Sequence, residues 1–237
     1  MINDTWFDDL ISKKLLEAER LERVHHVSSG KLSASMLGWP LQWQMLKMLG
    51  VPMKQNDSYT LRKFLRGKQI EEWLVGQLDA VVKKQMPVEY RGCVGYIDAV
   101  VQHNGHVPQI KDMVLPHEVK SVTNMKYKRI DKTKEADPQH KLQACMYALA
   151  LKKPYYAIDY VASDDLRVNT YVYKTVDLKA EVDKIITEFE IAFKSKTVPT
   201  FTPRYDWQKN PMYNNYPEWA ELTQNEINKK IKGYMAN

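Results

Sequence analysis

His117-Glu118-Val119-Lys120-Ser121 is the run around which the rest of this chain is organised. It reads as a β-strand. Side chains alternate faces along a strand, so Glu118 and Lys120 share one face while His117, Val119 and Ser121 take the other. Upstream, Gly95-Tyr96-Ile97-Asp98-Ala99-Val100-Val101 reads as a second apolar strand with one acid in its middle. An acid on one strand and a Glu-x-Lys on the next can converge into two carboxylates and one ammonium. Two such carboxylates repel each other and are costly to bury. A divalent cation held by both removes that cost. The lysine then stands beside a cation-bound water and the anion that the water attacks, an arrangement suited to phosphodiester hydrolysis. The plainer alternative is a pair of strands carrying solvated charges on one face.

Composition narrows the setting. The 237 residues fit one domain of ordinary size with small helical additions. With 44% hydrophobic and 27% charged residues, the chain can build a core and does not read as disordered. A formal charge of +6 favours a polyanionic partner. The two cysteines, Cys93 and Cys145, are far apart in apolar surroundings. They argue against a disulfide framework and are too few for a four-cysteine metal centre. The start has no basic segment followed by an apolar run, so no signal peptide is visible. No apolar stretch approaches the roughly 20 residues that span a bilayer. These features point to a cytoplasmic protein with no membrane association.

Outward from the central strands, residues 4–27 read as an amphipathic helix, with Trp6, Leu10, Leu15 or Leu16, and Leu21 near helical spacing. Ser28-Ser29-Gly30 breaks it. A second, strongly apolar helix is expected from Lys31, with Ser33 as N-cap and Pro40 in its first turns or at a kink. Residues 58–84 read as a long third helix with Ser58 as N-cap. Its stripe Phe64, Gly67, Glu71, Leu74, Val75, Leu78 steps as a buried face does, while Lys68, Gln69, Glu72 and Asp79 fall on the wet side. A carboxylate on an apolar face, Glu71, is expensive unless it is paired with a cation or bound to metal. Gly67 would allow close approach to that helix. Arg62, Lys63 and Arg66 form a basic cluster beside Tyr59 and Phe64, read equally as phosphate contacts or as a solvated face.

Pro87 is expected to end the helix, and strands 88–94 and 96–102 to pair across Gly95. His103-Asn104-Gly105-His106 reads as a turn. The next strand begins near Gln109, with an interruption at Pro116, and runs to Val122. His103, His106 and His117 lack ligand spacing and read as turn or surface histidines. Residues 124–137, with Lys126, Lys128 and Arg129, read as a polar loop following the central strand. It either closes on a nucleic acid backbone or is simply solvated. Pro138 opens a helix to Leu151. Leu142, Cys145, Met146 and Leu149 form its core stripe, and Gln143 and Tyr147 share another face at i, i+4. Residues 155–162 and 166–174 read as a strand hairpin. Asp177 is expected to cap a last long helix to about Lys194. The tail carries Tyr205, Trp207, Tyr213, Tyr216 and Trp219, which either pack it onto the domain or stack on unpaired bases.

Asp98 followed by Glu118-Val119-Lys120 resembles the core motif of the PD-(D/E)xK nuclease superfamily, with Ile97 where a proline often precedes the acid. Three further segments resemble its RecB-like, phage-exonuclease branch. Ser33-Ala34-Ser35 ahead of a short helix looks like that branch's N-terminal segment without its cysteine. Gly67-Lys68-Gln69-Ile70-Glu71 looks like the glutamate form of a helix that supplies an extra metal ligand. Gln143-x-x-x-Tyr147 looks like the motif whose glutamine sits at the metal–water cluster and whose tyrosine faces DNA phosphate. The resemblance covers about residues 30–175. The helix at 4–27 and the helix plus tail at 177–237 are additions.

The resemblance implies an α/β fold with a central mixed sheet flanked by helices. It implies a deoxyribonuclease dependent on one or two Mg²⁺ or Mn²⁺ ions, held by Glu71, Asp98, Glu118 and the backbone carbonyl of Val119. Lys120, Gln143 and Tyr147 complete the catalytic set. Arg62, Lys63, Arg66, Lys126, Lys128 and Arg129 are the expected DNA contacts. The tail has no cysteines, so no iron–sulfur cluster is implied. An exonuclease acting on linear single- or double-stranded ends, in recombination, repair or phage DNA processing and with a recombination partner protein, is the leading expectation. A catalytically silent nucleic-acid-binding module and a structure- or sequence-specific endonuclease of the same fold are the alternatives.

Overall fold

A computed structural model describes residues 6–25, 30–78, 80–104 and 108–235. Five strands form one sheet in the order of the chain: β1 (Val81–Tyr90), β2 (Cys93–Gln102), β3 (Val114–Val122), β4 (Tyr155–Ala162) and β5 (Val168–Lys174). The β3–β4 pair is parallel, and the other three pairs are antiparallel. Among the described residues seven α-helices flank this mixed sheet: α1 (Trp6–His25), α2 (Leu41–Met48), α3 (Ser58–Gln77), α4 (Asn124–Thr133), α5 (Pro138–Ala150), α6 (Val176–Ser195) and α7 (Gln224–Met235). The α/β expectation holds.

The parallel step needs a crossover, and α4 with α5 supplies it. The larger core lies on the α5 side. It joins Leu142, Cys145 and Met146 to Trp43 and Leu46 of α2, Val182 and Ile186 of α6, and Ile158 and Tyr160 of β4. The smaller core is where α3 sets Ile70, Leu74 and Val75 against Ala99, Val101, Val119 and Val161. The alternation of β3 therefore delivers Val119 to α3 and leaves Glu118 and Lys120 for the other side.

Several boundaries move, each for a local reason. The α3 helix stops at Gln77, and the β-branched pair Val81-Val82 opens β1 instead of continuing it. Asp57, not Ser58, caps α3, accepting Thr60 N–H at 2.7 Å. Pro87 lies inside β1, where an edge strand tolerates the missing N–H. The β1–β2 turn is Arg91-Gly92, both at positive φ (49° and 76°), as tight hairpin turns require. Gly95 lies within β2 for another reason: a Cβ there would stand 2.6 Å from Tyr147 Cε1 and 3.0 Å from Ala34 Cβ.

Residues 31–37 are not a helix. Ser33 bridges Val94, a short 3-10 turn follows at Ala34–Met36, and Pro40 precedes α2, because the residue before a proline is pushed out of helical geometry. Ser33 makes no cap hydrogen bond and instead pairs its hydroxyl with Ser35 at 2.8 Å. Residues 124–137 are not a loop. Thr123 caps α4, and Tyr127 and Ile130, one turn apart, bury its inner face. Two apolar positions among charges were too sparse to show as a period. Thr175, rather than Asp177, sits at the N-cap of α6. The tail packs onto the domain through Tyr216 and Trp219, then forms α7, which buries Ile227 and Ile231. The ends of the expected first helix (4, 5, 26, 27), the breaker residues Ser28 and Ser29, Asp79, Gly105 and His106 lie outside the described residues.

Candidate active site

The site assembles at the middle of β2 and β3. Asp98 is mostly buried and its Oδ2 accepts the backbone N–H of Val119 at 2.8 Å, which ties the acid to the Glu-x-Lys strand. Glu118 is 1% exposed, and its Oε1 faces the Lys120 ammonium in an ion pair. Its Oε2 is buried without a hydrogen-bond partner. Glu71 approaches from α3, half-buried, and accepts the amide N–H of Gln85 at 2.7 Å. From α5, Gln143 Nε2 donates to Tyr147 Oη at 2.9 Å, and Tyr147 lies within electrostatic reach of Glu118 and Asp98. Glu71, Asp98, Glu118, Lys120, Gln143 and Tyr147 thus gather in one neighbourhood.

The electrostatics are those of crowded acids. Burial first, then the Asp98 charge, pushes Glu71 up to about 7. Burial raises Asp98 above the usual carboxylate range, against the pull of Lys120 and the Val119 N–H. Glu118 is pushed to about 8 by burial, with Lys120 opposing and Asp98 adding to the rise. Burial works to lower Lys120, but Glu118, Asp98 and Glu71 overcome it and hold the ammonium above its ordinary value. Lys120 is therefore held as a cation, and an added positive charge beside Glu71, Asp98 and Glu118 would favour their ionised forms.

The donor set suits a hard divalent cation: carboxylate oxygens that repel each other, one of them buried and unpartnered. Among the described residues no group of three or more His, Cys, Asp or Glu side chains is placed to hold a metal ion by itself.

The expected DNA-contacting residues divide. Arg62 is committed to α1, donating to Asp8 Oδ1 at 2.6 Å and Ser12 Oγ at 3.0 Å. Lys63 is exposed over the Tyr59 ring at 4.0 Å, and Arg66 is exposed. Lys126 and Arg129 both pair with Asp137 just before α5, and Lys128 points to solvent. Phe64, expected on the buried stripe of α3, is 60% exposed, and Ile70 takes the buried place. Gly67 meets open space, so no close approach explains it.

Sequence reasoning missed two sets of residues. Gln85 reaches Glu71 because β1 begins earlier than the sequence suggests. Gln85 has φ 45°, the left-handed region that a non-glycine rarely adopts, and nothing in the sequence marks it. His117 is buried, not at the surface. Its Nδ1 meets Asp159 Oδ2 at 2.7 Å, its Nε2 meets His103 Nε2 at 2.9 Å, and Thr170 donates to Asp159 Oδ1 at 2.5 Å. This polar chain runs across the sheet from the end of β2 to β5, at β3 and β4 positions that alternate with Glu118 and Tyr160. It balances polar groups that could not otherwise be buried.

Comparison by sequence finds no matching family model and no matching curated protein. Comparison by structure finds similar folds. The alkaline exonuclease LHK-Exo from Laribacter hongkongensis superposes with a TM-score of 0.53 at 14% identity, covering 70% of this chain and 89% of that one. Its crystal structure in complex with dAMP gives a TM-score of 0.52 at 13% identity, over the same shares of the two chains. SSO0001 superposes with a TM-score of 0.51 at 17% identity, covering 92% of this chain and 98% of that one. At such identities the likeness is one of fold. The chain has the α/β fold found in the LHK-Exo alkaline exonuclease, with its acids and lysine gathered at the middle of the sheet.

Proposed function

We propose that this protein is a divalent-metal-dependent deoxyribonuclease of the PD-(D/E)xK type that removes nucleotides from DNA ends. The observation that carries the reading is the juxtaposition of Glu71, Asp98 and Glu118, all with raised pKa, around a cationic Lys120, with Glu118 Oε2 buried and unpartnered. The fold shared with an alkaline exonuclease and the net charge of +6 support it. So does the order of the motifs along the chain.

Glu71, Asp98, Glu118 and the carbonyl of Val119 would hold one or two Mg²⁺ or Mn²⁺ ions. Such an ion supplies a water of lowered pKa and charge against the attacked phosphate. Lys120, released from Glu118, donates to the attacking water and offsets charge that develops on the phosphate. Gln143 orients the same water network, and Tyr147 donates to a phosphate oxygen. Lys128, Lys63 and Arg66 hold the backbone by charge alone, so this part of binding falls with salt. A linear end enters beside α4 and α5. The protein serves recombination, repair or phage DNA processing.

The test is cleavage of end-labelled linear DNA, single- and double-stranded, beside a closed circle, in Mg²⁺, Mn²⁺ or EDTA and against Asp98→Ala. Loss of linear substrate alone, dependent on metal and on Asp98, is expected. Cleavage of the circle would replace the exonuclease reading by an endonuclease. DNA bound but intact in every lane would leave a silent binding module.

A further inference from the structure

Beside the acids two aromatic rings are left in water. Gly95 and Ile97 turn toward the α5 core, so Tyr96 between them takes the opposite face of β2. It is 63% exposed and stands two residues, roughly 7 Å, along the strand from Asp98. On α3, Phe64 continues upstream the stripe that buries Ile70 and Leu74, yet it is exposed. It stands seven residues, about 10 Å, along the helix from Glu71.

The two rings lie on the same side of the sheet and at the same end of the site. Ile70, Leu74 and Val75 pack on Ala99 and Val101, which places α3 on the face away from α5. Leu78 at the end of α3 meets Val81, the register partner of Val101. Glu71 reaches Gln85, which lies between the register pairs Lys84–Ala99 and Met86–Ile97 and so opposite Asp98. From Leu78 through Glu71 to Phe64, the helix therefore runs in the same sense as β2 from Val101 through Asp98 to Tyr96. Beyond the acids the two part. A Cβ on Gly67, on the sheet-facing stripe, would meet nothing within 4 Å, and β2 pairs with β3 no further than Ala99. The result is an open cleft with Phe64 on one lip, Tyr96 on the other and the acids at its inner end. Its rim is basic. Lys63, Arg66 and Lys68 on α3 and Lys83 and Lys84 on β1 are exposed, while Glu89 is paired with Lys31 and Glu72 lies on the outer face of the helix.

We propose that this cleft takes unpaired bases of the DNA strand being cleaved, which stack on Tyr96 and Phe64 while the basic rim holds the backbone. This rests on the nuclease reading and narrows its substrate. A strand that enters beside α4 and α5 and crosses the acids is single-stranded here, so a blunt duplex end must fray before it is cut. Every base has a face to stack, so the contact carries little sequence preference.

An abasic nucleotide removes one base and keeps its phosphate. Walking one along an end-labelled single strand, with binding measured in EDTA and single-turnover cleavage in Mg²⁺ or Mn²⁺, tests the contact in wild type, Tyr96→Ala, Tyr96→Phe and Phe64→Ala. Neighbouring positions near the end are expected to weaken wild-type binding about tenfold each, the scale of one base–aromatic stack. The penalty at one of them should nearly vanish in Tyr96→Ala and persist in Tyr96→Phe, which keeps the ring. The penalty at another should nearly vanish in Phe64→Ala. Both rings are exposed, so neither truncation opens the core. Equal penalties in wild type and both alanine variants at every position, or no penalty at any, would overturn the proposal, and cleavage by the same wild type would leave the nuclease reading standing. Penalties that the alanine variants remove, without cleavage in either metal, would refute the nuclease reading and leave the stacking standing. Failure of the wild type to bind DNA would refute both.

Discussion

Glu118→Gln should flatten the pH dependence of stability in the metal-free protein. Glu118 is 1% exposed, and burial lifts its pKa from 4.5 to about 8. A carboxyl whose pKa is raised by folding binds its proton more tightly when folded. Its contribution is complete below about pH 4.5 and is lost as pH rises through about 8. At 1.36 kcal/mol per pKa unit the loss between pH 5 and 9 is at most ~4 kcal/mol, and water penetration brings it to about 2–4 kcal/mol. In a chain of this length that is a fall in Tm of about 4–16 °C. Glu71 and Asp98 shift in the same direction, so the wild-type curve alone does not isolate Glu118; the difference between the two proteins does. The assay is thermal unfolding in EDTA at pH 5, 7 and 9, repeated with Mg²⁺. The wild type should lose stability toward pH 9 faster than Glu118→Gln, and Mg²⁺ should restore the wild type only. Parallel curves in EDTA would show that Glu118 is already ionised with Lys120 at neutral pH, and the reasoning about the site's charge would fall.

Other outcomes follow from the same geometry. Lys120→Ala should cost about 10²-fold or more in cleavage rate while circular dichroism shows the fold retained; unchanged turnover would remove Lys120 from the reaction. Gly95→Ala should lose about 1–3 kcal/mol in thermal unfolding, because its Cβ would meet the Tyr147 ring. Tyr147→Leu in the same chain should recover part of the loss, and a loss unaffected by Tyr147 would point elsewhere. Lys128→Ala should lower the slope of log K against log salt for DNA binding by about 1. Neutralising Lys126 and Arg129 should lower it by less than about 1 each, because Asp137 already neutralises them in part; equal contributions would contradict the pairing.

Much of the candidate site's arrangement was legible because its residues lie on elements with strong periods. Asp98, Glu118 and Lys120 sit on strands whose apolar flanks announce them, and Gln143 and Tyr147 sit on a helix opened by Pro138 and filled by an unbroken apolar stripe. The supporting residues were not legible. His140 and Tyr160 touch only because α5 lies across β4, and no spacing along the chain encodes that contact. Gln85 was hidden because a valine pair that begins an edge strand looked like the last turns of a helix. The α4 helix was hidden because it buries only Tyr127 and Ile130.

The sequence by itself determined the alternation that puts Glu118 and Lys120 together, the α/β class, and the order of the chemistry-bearing residues. Those depend on local periodicity, which the chain carries wherever it folds. Tertiary structure alone decided which carboxylate is starved of water and which cation is spent on an ion pair. Those depend on what packs over each group, because burial and neighbouring charge, not residue type, set the cost of ionising it.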